Sequence, residues 1–309
     1  MTDVASMNRK VVFARINRRE DQEPLQVRPF GEDMGRFASS HLMTFTQRAS
    51  GTQPLRRWFA ADMKVTASGE FMTGTLGYSE NQQQVEFDDE AWSWIKGVTH
   101  QAEAGSEQTV VPFALDLREH DRWVAFAPTG RMRPLQFARG FQSVLNQAAL
   151  HAGLIPVEWE VDLVTSKGMI DAWLNLNPGV FFMRRTVKFS NPGRDLDDDR
   201  REMRALLANR KTEEFHAPRG QVMRSETPEF RDKLQGTESG DLDIVLRSRG
   251  PHGVTAAVFR TRSNADETFV DDFGANLERG MDSMLRALKE YRASKEGRQA
   301  RFDDPPEPG

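Results

Sequence analysis

The first hundred residues alternate between β-type and helix-type patterns of apolar and polar positions. Lys10–Ile16 is rich in β-branched residues and predicts a strand, and Glu32–Phe45 predicts a helix. Two β-type runs flank the Gly-containing turn at Ala67–Gly69 and predict a hairpin. Asp88–Thr99 opens with acids and then places apolar residues at spacings of three and four, which predicts a short helix.

The middle of the chain continues with a second hairpin and an amphipathic helix. Thr109–Leu117 and Arg122–Pro128 are two β-type runs separated by four polar residues. Arg133–His151 carries apolar residues on one helical face, and Gly153 and Pro156 mark its end.

The second half repeats this alternation. Val157–Val164 and Val180–Ser190 predict strands, and Asp195–Arg210 predicts a helix with Leu206 and Leu207 among its inward residues. Lys211–Ser239 is polar and rich in Pro and Gly, so it is either a functional loop or contains a short helix. Asp241–Arg249 and Val254–Arg262 predict a third hairpin.

The strongest helical pattern of the chain spans Phe269–Tyr291. Its apolar face repeats at steps of three and four and includes Phe273, Leu277, Met281, Met284 and Leu288. This face is either packed in the core or forms a dimer seam.

Antiparallel hairpins therefore alternate with single helices, and the long crossovers of a parallel sheet are missing. The expected fold class is α+β with two domains. We place an N-terminal α+β domain at residues 1–153 and a C-terminal α+β domain with an Arg-rich surface at 154–294. An acidic, Pro-containing tail at 295–309 is expected to be disordered.

Composition excludes several classes of protein. The chain has 42 Lys and Arg against 46 Asp and Glu, so it is not a uniformly cationic nucleic-acid binder. Cysteine is absent, which excludes disulfides, a thiol nucleophile and Cys-ligated metals. The sequence shows no signal-peptide pattern and no apolar stretch of membrane-spanning length, so we expect a cytoplasmic protein.

Known catalytic patterns are also missing. The sequence contains neither a P-loop nor GxGxxG, and its six histidines do not have zinc-site spacing, so we expect no cofactor and no metal. Asp195–Asp199, or Asp241 and Asp243, would be the acids of a metal-dependent phosphodiesterase. Acids in the first turn of a helix are more simply explained by the helix dipole.

Cations concentrate in the window 184–262. Period-two alternation puts Arg247 and Arg249 on one strand face and Arg260 and Arg262 on one face of the next strand. Such a patch either binds a polyanion or is a solvated face whose charges pair with Asp266 and Glu267, and the residues alone leave both interpretations open. The candidate DNA-binding residues are Arg184, Arg185, Lys188, Arg200, Arg201, Arg204, Arg247, Arg249, Arg260 and Arg262.

The layout resembles that of the RexA-type phage-exclusion proteins of temperate phages. The resemblance covers most of residues 55–295 and lies in the order of elements, without a short diagnostic motif. It is carried by WFAADMKVTASGEFMTGTLGY, by TVVPFALDLREHDRWVAFAPTGRMRPLQFARGFQSVLNQAALHAG, by the strands ending in MRRTVKFS and GDLDIVLRSR, and by MDSMLRALKEYRASKEG. This chain is Arg-rich and net acidic, whereas the family member compared is Lys-rich.

The resemblance implies a non-enzymatic, cytoplasmic homodimer that binds duplex DNA without sequence preference. Such a protein senses phage infection and signals to a separate membrane partner encoded nearby, which is a form of abortive infection and antiviral defence. Two functions of other classes stay open: the phosphodiesterase described above, and a protein–protein adaptor that dimerises through Phe269–Tyr291.

Overall fold

The structure, a computed structural model, describes residues 8–19, 28–40, 43–47, 56–80, 84–88, 93–98, 107–153, 158–188, 196–208, 210–237, 240, 242–249 and 256–303. Its strands are β1 (Asn8–Arg19), β2 (Thr44–Gln47), β3 (Arg56–Val65), β4 (Phe71–Glu80), β5 (Gln84–Asp88), β6 (Ser93–Val98), β7 (Glu107–Asp116), β8 (Trp123–Phe126), β9 (Glu158–Leu163), β10 (Val180–Lys188), β11 (Arg210–His216), β12 (Leu242–Arg249), β13 (Ala256–Arg260) and β14 (Glu267–Asp271). Its helices are α1 (Phe30–Ser39), α2 (Pro134–His151), α3 (Lys167–Leu176), α4 (Asp197–Ala205), α5 (Pro228–Asp232) and α6 (Leu277–Asp303).

The fold class predicted from the sequence is confirmed. The structure is a mixed α+β fold in which strand hairpins alternate with helices. Each of its strand pairs is antiparallel. The described strands form three sheets: a large one of eight strands, a second one of four strands, and the pair β5–β6.

The large sheet has helices on both faces. Its strand order is β14-β1-β8-β7-β4-β3-β2, and β9 also pairs with β1. Alternation along β1 sends Val12 and Ile16 into a core shared with α1 and α2. Val11 and Phe13 point to the opposite face, where α6 covers them and Phe13 stacks on Tyr291 with ring centroids 3.9 Å apart.

The second sheet has helices on one face only. Its strand order is β11-β10-β12-β13. Met183, Val187, Ile244 and Leu246 alternate onto one face and form a core with α3, α4 and α5. The core residues of these strands all belong to that face, and the described helices leave the opposite face uncovered.

The second sheet is inserted into the chain of the first. The chain leaves the large sheet after β9 and returns to it at β14, and α6 then packs on the large sheet. The predicted domain boundary at residue 153 therefore does not separate the two sheets. Strands β9 and β14 and helix α6 follow that boundary in the sequence, yet they belong to the large sheet or pack on it. Helix α6 also continues through Asp303, so residues 295–303 are helical where a disordered tail was predicted.

Two secondary-structure predictions were wrong. Ser93–Val98 is a strand paired with β5, since its Trp, Ile and Val suit a strand as well as a helix. The predicted helix start at Phe269 lies in β14, and the helix begins only at Leu277. The polar segment Lys211–Ser239 contains the short helix α5, which was one of its two predicted alternatives, and its first residues belong to strand β11, which was not predicted.

The predicted inward orientation of two leucines was also wrong. Leu206 and Leu207 are exposed, because α4 ends at Ala205 and Leu207 adopts a positive φ of 51°. Ala208 N then donates to the Met203 carbonyl, as in a Schellman C-cap.

Candidate nucleic-acid interface

Four exposed arginines lie on the uncovered face of the second sheet. Arg184 pairs in register with Val245, which pairs with Arg260 on the next strand. Neighbouring strands are about 4.8 Å apart, so these side chains form one row across the sheet. Arg247 and Arg249 follow on β12 at period two and point to the same face. We call Arg184, Arg247, Arg249 and Arg260 the arginine face.

Within the described residues, no acid pairs with any member of the arginine face. The nearest acids of the same face are engaged elsewhere: Glu214 lies 3.6 Å from His216, and Asp243 lies 2.9 Å from Arg262. Arg247 instead lies over the Phe182 ring at 4.9 Å, and Arg249 lies 5.9 Å from the Phe181 ring. Glu214 lies opposite Arg184 in the register but forms no ion pair with it. The four guanidiniums are therefore exposed without a direct ion pair to a described acid.

The arginine side chains also explain why two apolar residues of this face are buried. Phe182 and Val245 are only 8% and 7% exposed although no described helix covers them. Val245 lies between Arg184 and Arg260 in the register, and Phe182 lies between His216 and Arg247. Long aliphatic stems cover such residues while their charged heads stay in water.

Arg185 points to the opposite, helix-covered face of the same strand. It is buried and makes ion pairs with Asp199 of α4 and with Glu213 of β11, the latter at 2.9 Å. Lys211 joins the same group, 2.9 Å from Asp199. We call Arg185, Asp199, Lys211 and Glu213 the inner network.

Charge compensation in the inner network lowers the pKa values of its two acids. Burial would raise the pKa of Asp199, but hydrogen bonds from Arg185 and Lys211 outweigh it and hold that pKa below its usual range. The pKa of Glu213 is lowered in the same way: burial opposes the shift, and the Arg185 hydrogen bond and the Lys233 charge cause it. Arg185 therefore has a structural role, and its prediction as a DNA contact does not fit its burial.

Lys188 ends β10 on the uncovered side but is also buried. Its ammonium pairs with Asp162 and lies 3.3 Å from Glu160, both on β9 of the large sheet. Burial lowers the pKa of Lys188, yet the charges of Asp162 and Glu160 outweigh burial and raise the pKa above its ordinary value. This lysine joins the two sheets and is not available to a ligand on the surface.

The other predicted contacts are dispersed. Arg262 follows the end of β13 and is paired with Asp243. Arg201 and Arg204 are exposed on α4, which packs on the covered side of the sheet, and Arg201 lies 3.6 Å from Asp198. The side chain of Arg200 lies outside the described part of the chain. Of the ten predicted residues, the sheet brings four together as exposed cations on one face.

Sequence reasoning missed the contribution of β11. Arg210, Thr212, Glu214 and His216 are exposed and alternate onto the uncovered face. The segment RKTEEFH does alternate between exposed and half-buried residues, but both sets are polar apart from Phe215, so hydrophobic periodicity gives no strand signal.

The apolar side of α6 packs inside the chain itself. Phe273, Met284 and Leu288 belong to the core beneath the large sheet, Met281 is buried, and Leu277 is half-buried. These side chains are therefore used for core packing and are not presented as a dimer seam.

Of the acids considered for a phosphodiesterase, those that the structure describes have other partners or lie apart. Asp199 and Asp243 are both ion-paired, and Asp195 and Asp241 lie outside the described residues. In the described ranges, no three His, Asp or Glu side chains are grouped so that they could hold a metal ion.

Comparisons with known proteins give no family. No protein-family model matches the chain, and no curated protein is similar to it. Among the described helices, none is both long enough and apolar enough to cross a membrane. A sheet face with four exposed guanidiniums that make no ion pair with a described acid can bind several phosphates of one polyanion.

Proposed function

We propose that this chain binds duplex DNA without sequence preference through the arginine face, and that it does so without catalysis. One observation carries the proposal: four exposed arginines, without acidic partners among the described residues, share the uncovered face of a sheet. Like charges so close together are unfavourable unless an anion neutralises them. A phosphodiester backbone supplies anions at regular short intervals.

The surface favours backbone contacts over base contacts. Its described arginines project from the face of a sheet, on two central strands and one edge strand, and not from a helix or ribbon of the kind that enters a groove. Two phenyl rings lie beside the arginines of this face: Phe182 is buried beneath Arg247 and beside His216, and Phe181 is half-buried 5.9 Å from Arg249, so neither ring is fully exposed. Because stacking on exposed rings is what single strands require, the duplex is the better ligand.

The resemblance to RexA-type proteins supports a wider role. We propose that DNA binding makes the chain the sensor of a prophage-encoded phage-exclusion system, acting as a homodimer that signals to a membrane partner. Cells that carry the chain and its neighbouring gene should lose membrane potential on phage infection, as read by a potential-sensitive dye. Retention of that signal in cells carrying the Arg247→Glu/Arg249→Glu chain would contradict a sensor that works through the arginine face.

The binding proposal is tested by fluorescence anisotropy on three duplexes of unrelated sequence at several KCl concentrations. We expect similar affinities for the three duplexes, with log affinity falling linearly against log salt. Absence of binding at low salt, or affinity independent of salt, would overturn the phosphate mechanism.

A double charge-reversal variant tests whether duplex DNA binds at the arginine face. Arg247→Glu/Arg249→Glu should weaken binding by about tenfold or more at low salt, equally on all three duplexes. The matched control is Arg139→Glu/Arg286→Glu, which reverses two exposed arginines on α2 and α6, on either side of the large sheet. Equal loss in both double variants would show that binding follows total charge and not this face.

A further inference from the structure

A polar cluster lies where the two sheets meet. It consists of Asn17 on β1, Glu160 and Asp162 on β9, and Lys188 on β10, and we call it the junction cluster. Asn17 lies directly opposite Glu160 in the register, and its Nδ2 donates to Asp162 Oδ2 at 3.2 Å. Three strands thus bring two carboxylates, one amide and one ammonium together.

The junction cluster has more acceptors than donors. Among the described residues, Lys188 supplies the one ammonium that pairs with these two carboxylates. Asn17 is fully buried, and its Oδ1 has no hydrogen-bond partner in the described part of the chain. Glu160 Oε2 is also buried and accepts no hydrogen bond from a described residue, although the Lys188 ammonium is 3.3 Å away. Buried oxygens without a partner are unfavourable, so this group requires another positive or donating species.

A buried glycine packs against one side of the junction cluster. Gly240 is buried at a φ of +79°, and a Cβ there would lie 3.4 Å from both Asn17 Nδ2 and Asp162 Cβ. Its bare backbone therefore closes one side at short range. The Glu160 and Asp162 side chains are still 19% and 16% exposed, so the cluster is partly open to solvent.

We propose that the junction cluster binds one divalent cation, Mg²⁺ or Mn²⁺, through Glu160, Asp162 and the Asn17 amide oxygen. Carboxylate and amide oxygens are the ligands that hard cations prefer, and Mg²⁺ is commonly held by one or two carboxylates together with water. The partly exposed carboxylates leave room for that water. Two of the three proposed ligands are carboxylates and the third is an amide. The site therefore differs from the groups of three His, Asp or Glu side chains that are absent from the described ranges.

The site lies at the end of the arginine face. Lys188 and Arg184 are four residues apart on β10 and project from the same side of the strand. Two carboxylates and one ammonium give the cluster a charge of −1, which a divalent cation changes to +1. A phosphate on the arginine face would neutralise that charge, so cation and duplex should bind cooperatively. This coupling, unlike the cation site itself, rests on the proposed function.

The cation site is tested without DNA, by titrating the full chain with Mn²⁺ and following free Mn²⁺ by electron paramagnetic resonance. We expect one Mn²⁺ per chain with a Kd below about 1 mM. Glu160→Gln and Asn17→Ala should each weaken binding by about tenfold or more. The control is Glu290→Gln, an exposed acid on α6, which should bind as the wild type does. No stoichiometric binding, or equal loss in the control, would overturn the site.

A variant that is expected to bind Mn²⁺ more tightly distinguishes loss of the site from loss of folding. Lys188→Met removes the ammonium that competes for the two carboxylates, so it should bind Mn²⁺ several-fold more tightly. Its Tm should also rise with Mn²⁺ by more than that of the wild type, because ligand binding stabilises the folded state. Unchanged or weaker Mn²⁺ binding by folded Lys188→Met would contradict the site. Repeating the titration with a duplex tests the coupling separately, so a protein that fails to bind DNA can still show the cation site.

Discussion

The two main sheets of this protein differ in what covers them. The large sheet carries α1 and α2 on one face and α6 on the other, and its strands are apolar on both sides. The second sheet carries α3, α4 and α5 on one face and is uncovered on the other. Its uncovered face carries Arg184, Arg247, Arg249 and Arg260. These exposed positive charges therefore lie on the face that no described helix covers.

Adjacent residues of one strand show what this difference means. Arg185 points to the helix-covered side and is neutralised by Asp199 and Glu213. Arg184 points to the uncovered side, where no acid of the described chain pairs with it. The same residue type therefore serves stability on one face and is free for a ligand on the other.

The largest effect is expected in the core of the large sheet. Phe137 of α2 is fully buried and stacks on Phe126 of β8 with ring centroids 3.8 Å apart. Phe137→Ala should lower the free energy of unfolding by about 3–5 kcal/mol, because it leaves a cavity in a packed core. Urea unfolding measures this. DNA affinity of the folded variant should be unchanged, and a parallel loss of affinity would break the separation between the two sheets.

The next effect compares arginines on the two faces of the second sheet. Arg185→Met should cost about 2–3 kcal/mol of stability, because Asp199 and Glu213 lose a buried partner while Lys211 still compensates part of their charge. Arg247→Met should cost little stability but weaken duplex binding. Urea unfolding and anisotropy on both variants check this, and the contrast fails if the two variants lose stability equally.

Acid should weaken the inner network. The pKa values of Asp199 and Glu213 are lowered in the folded state, so their contribution is present above the unfolded values, that is above about pH 5, and is lost as pH falls through the folded values. The Tm difference between wild type and Asp199→Asn/Glu213→Gln should be full at pH 7 and should narrow below about pH 5. A difference that stays constant down to pH 3 would show that the two acids act through shape and not through charge.

The smallest effect is expected for a valine on the uncovered face. Val258 of β13 is 40% exposed, whereas Val124 of β8 is fully buried. Val258→Thr should change stability by less than about 0.5 kcal/mol. Val124→Thr should cost about 1–3 kcal/mol, because it buries a hydroxyl without a prepared partner. Thermal unfolding of the two variants compares the faces, and equal losses would indicate that the second sheet is covered in solution.

The sequence predicted the elements with strong periodicity and failed where two patterns overlap. The hairpin around Ala67–Gly69 and helix α2 follow directly from turn chemistry and apolar spacing. Strand β6 was missed because Trp94, Ile95 and Val98 fit both a helical face and a strand. Strand β11 was missed because its positions are polar on both faces apart from Phe215.

The candidate site was predictable only in part. Period-two alternation correctly puts Arg247 and Arg249 on one face, but it cannot show that β13 ends at Arg260 and leaves Arg262 to pair with Asp243. Lys188 is captured by Glu160 and Asp162, whose strand belongs to the other sheet. Long-range pairing of this kind depends on the tertiary fold, which local sequence does not encode.

Protection of individual arginines from phenylglyoxal, mapped by mass spectrometry with and without duplex DNA, tests the central claim most directly. If the uncovered face binds DNA, modification of Arg184, Arg247, Arg249 and Arg260 slows when duplex is added. The exposed Arg139 and Arg286 on the helices of the large sheet should react at unchanged rates. Protection of Arg139 and Arg286, or uniform rates with and without DNA, would contradict the assignment of the arginine face as the interface.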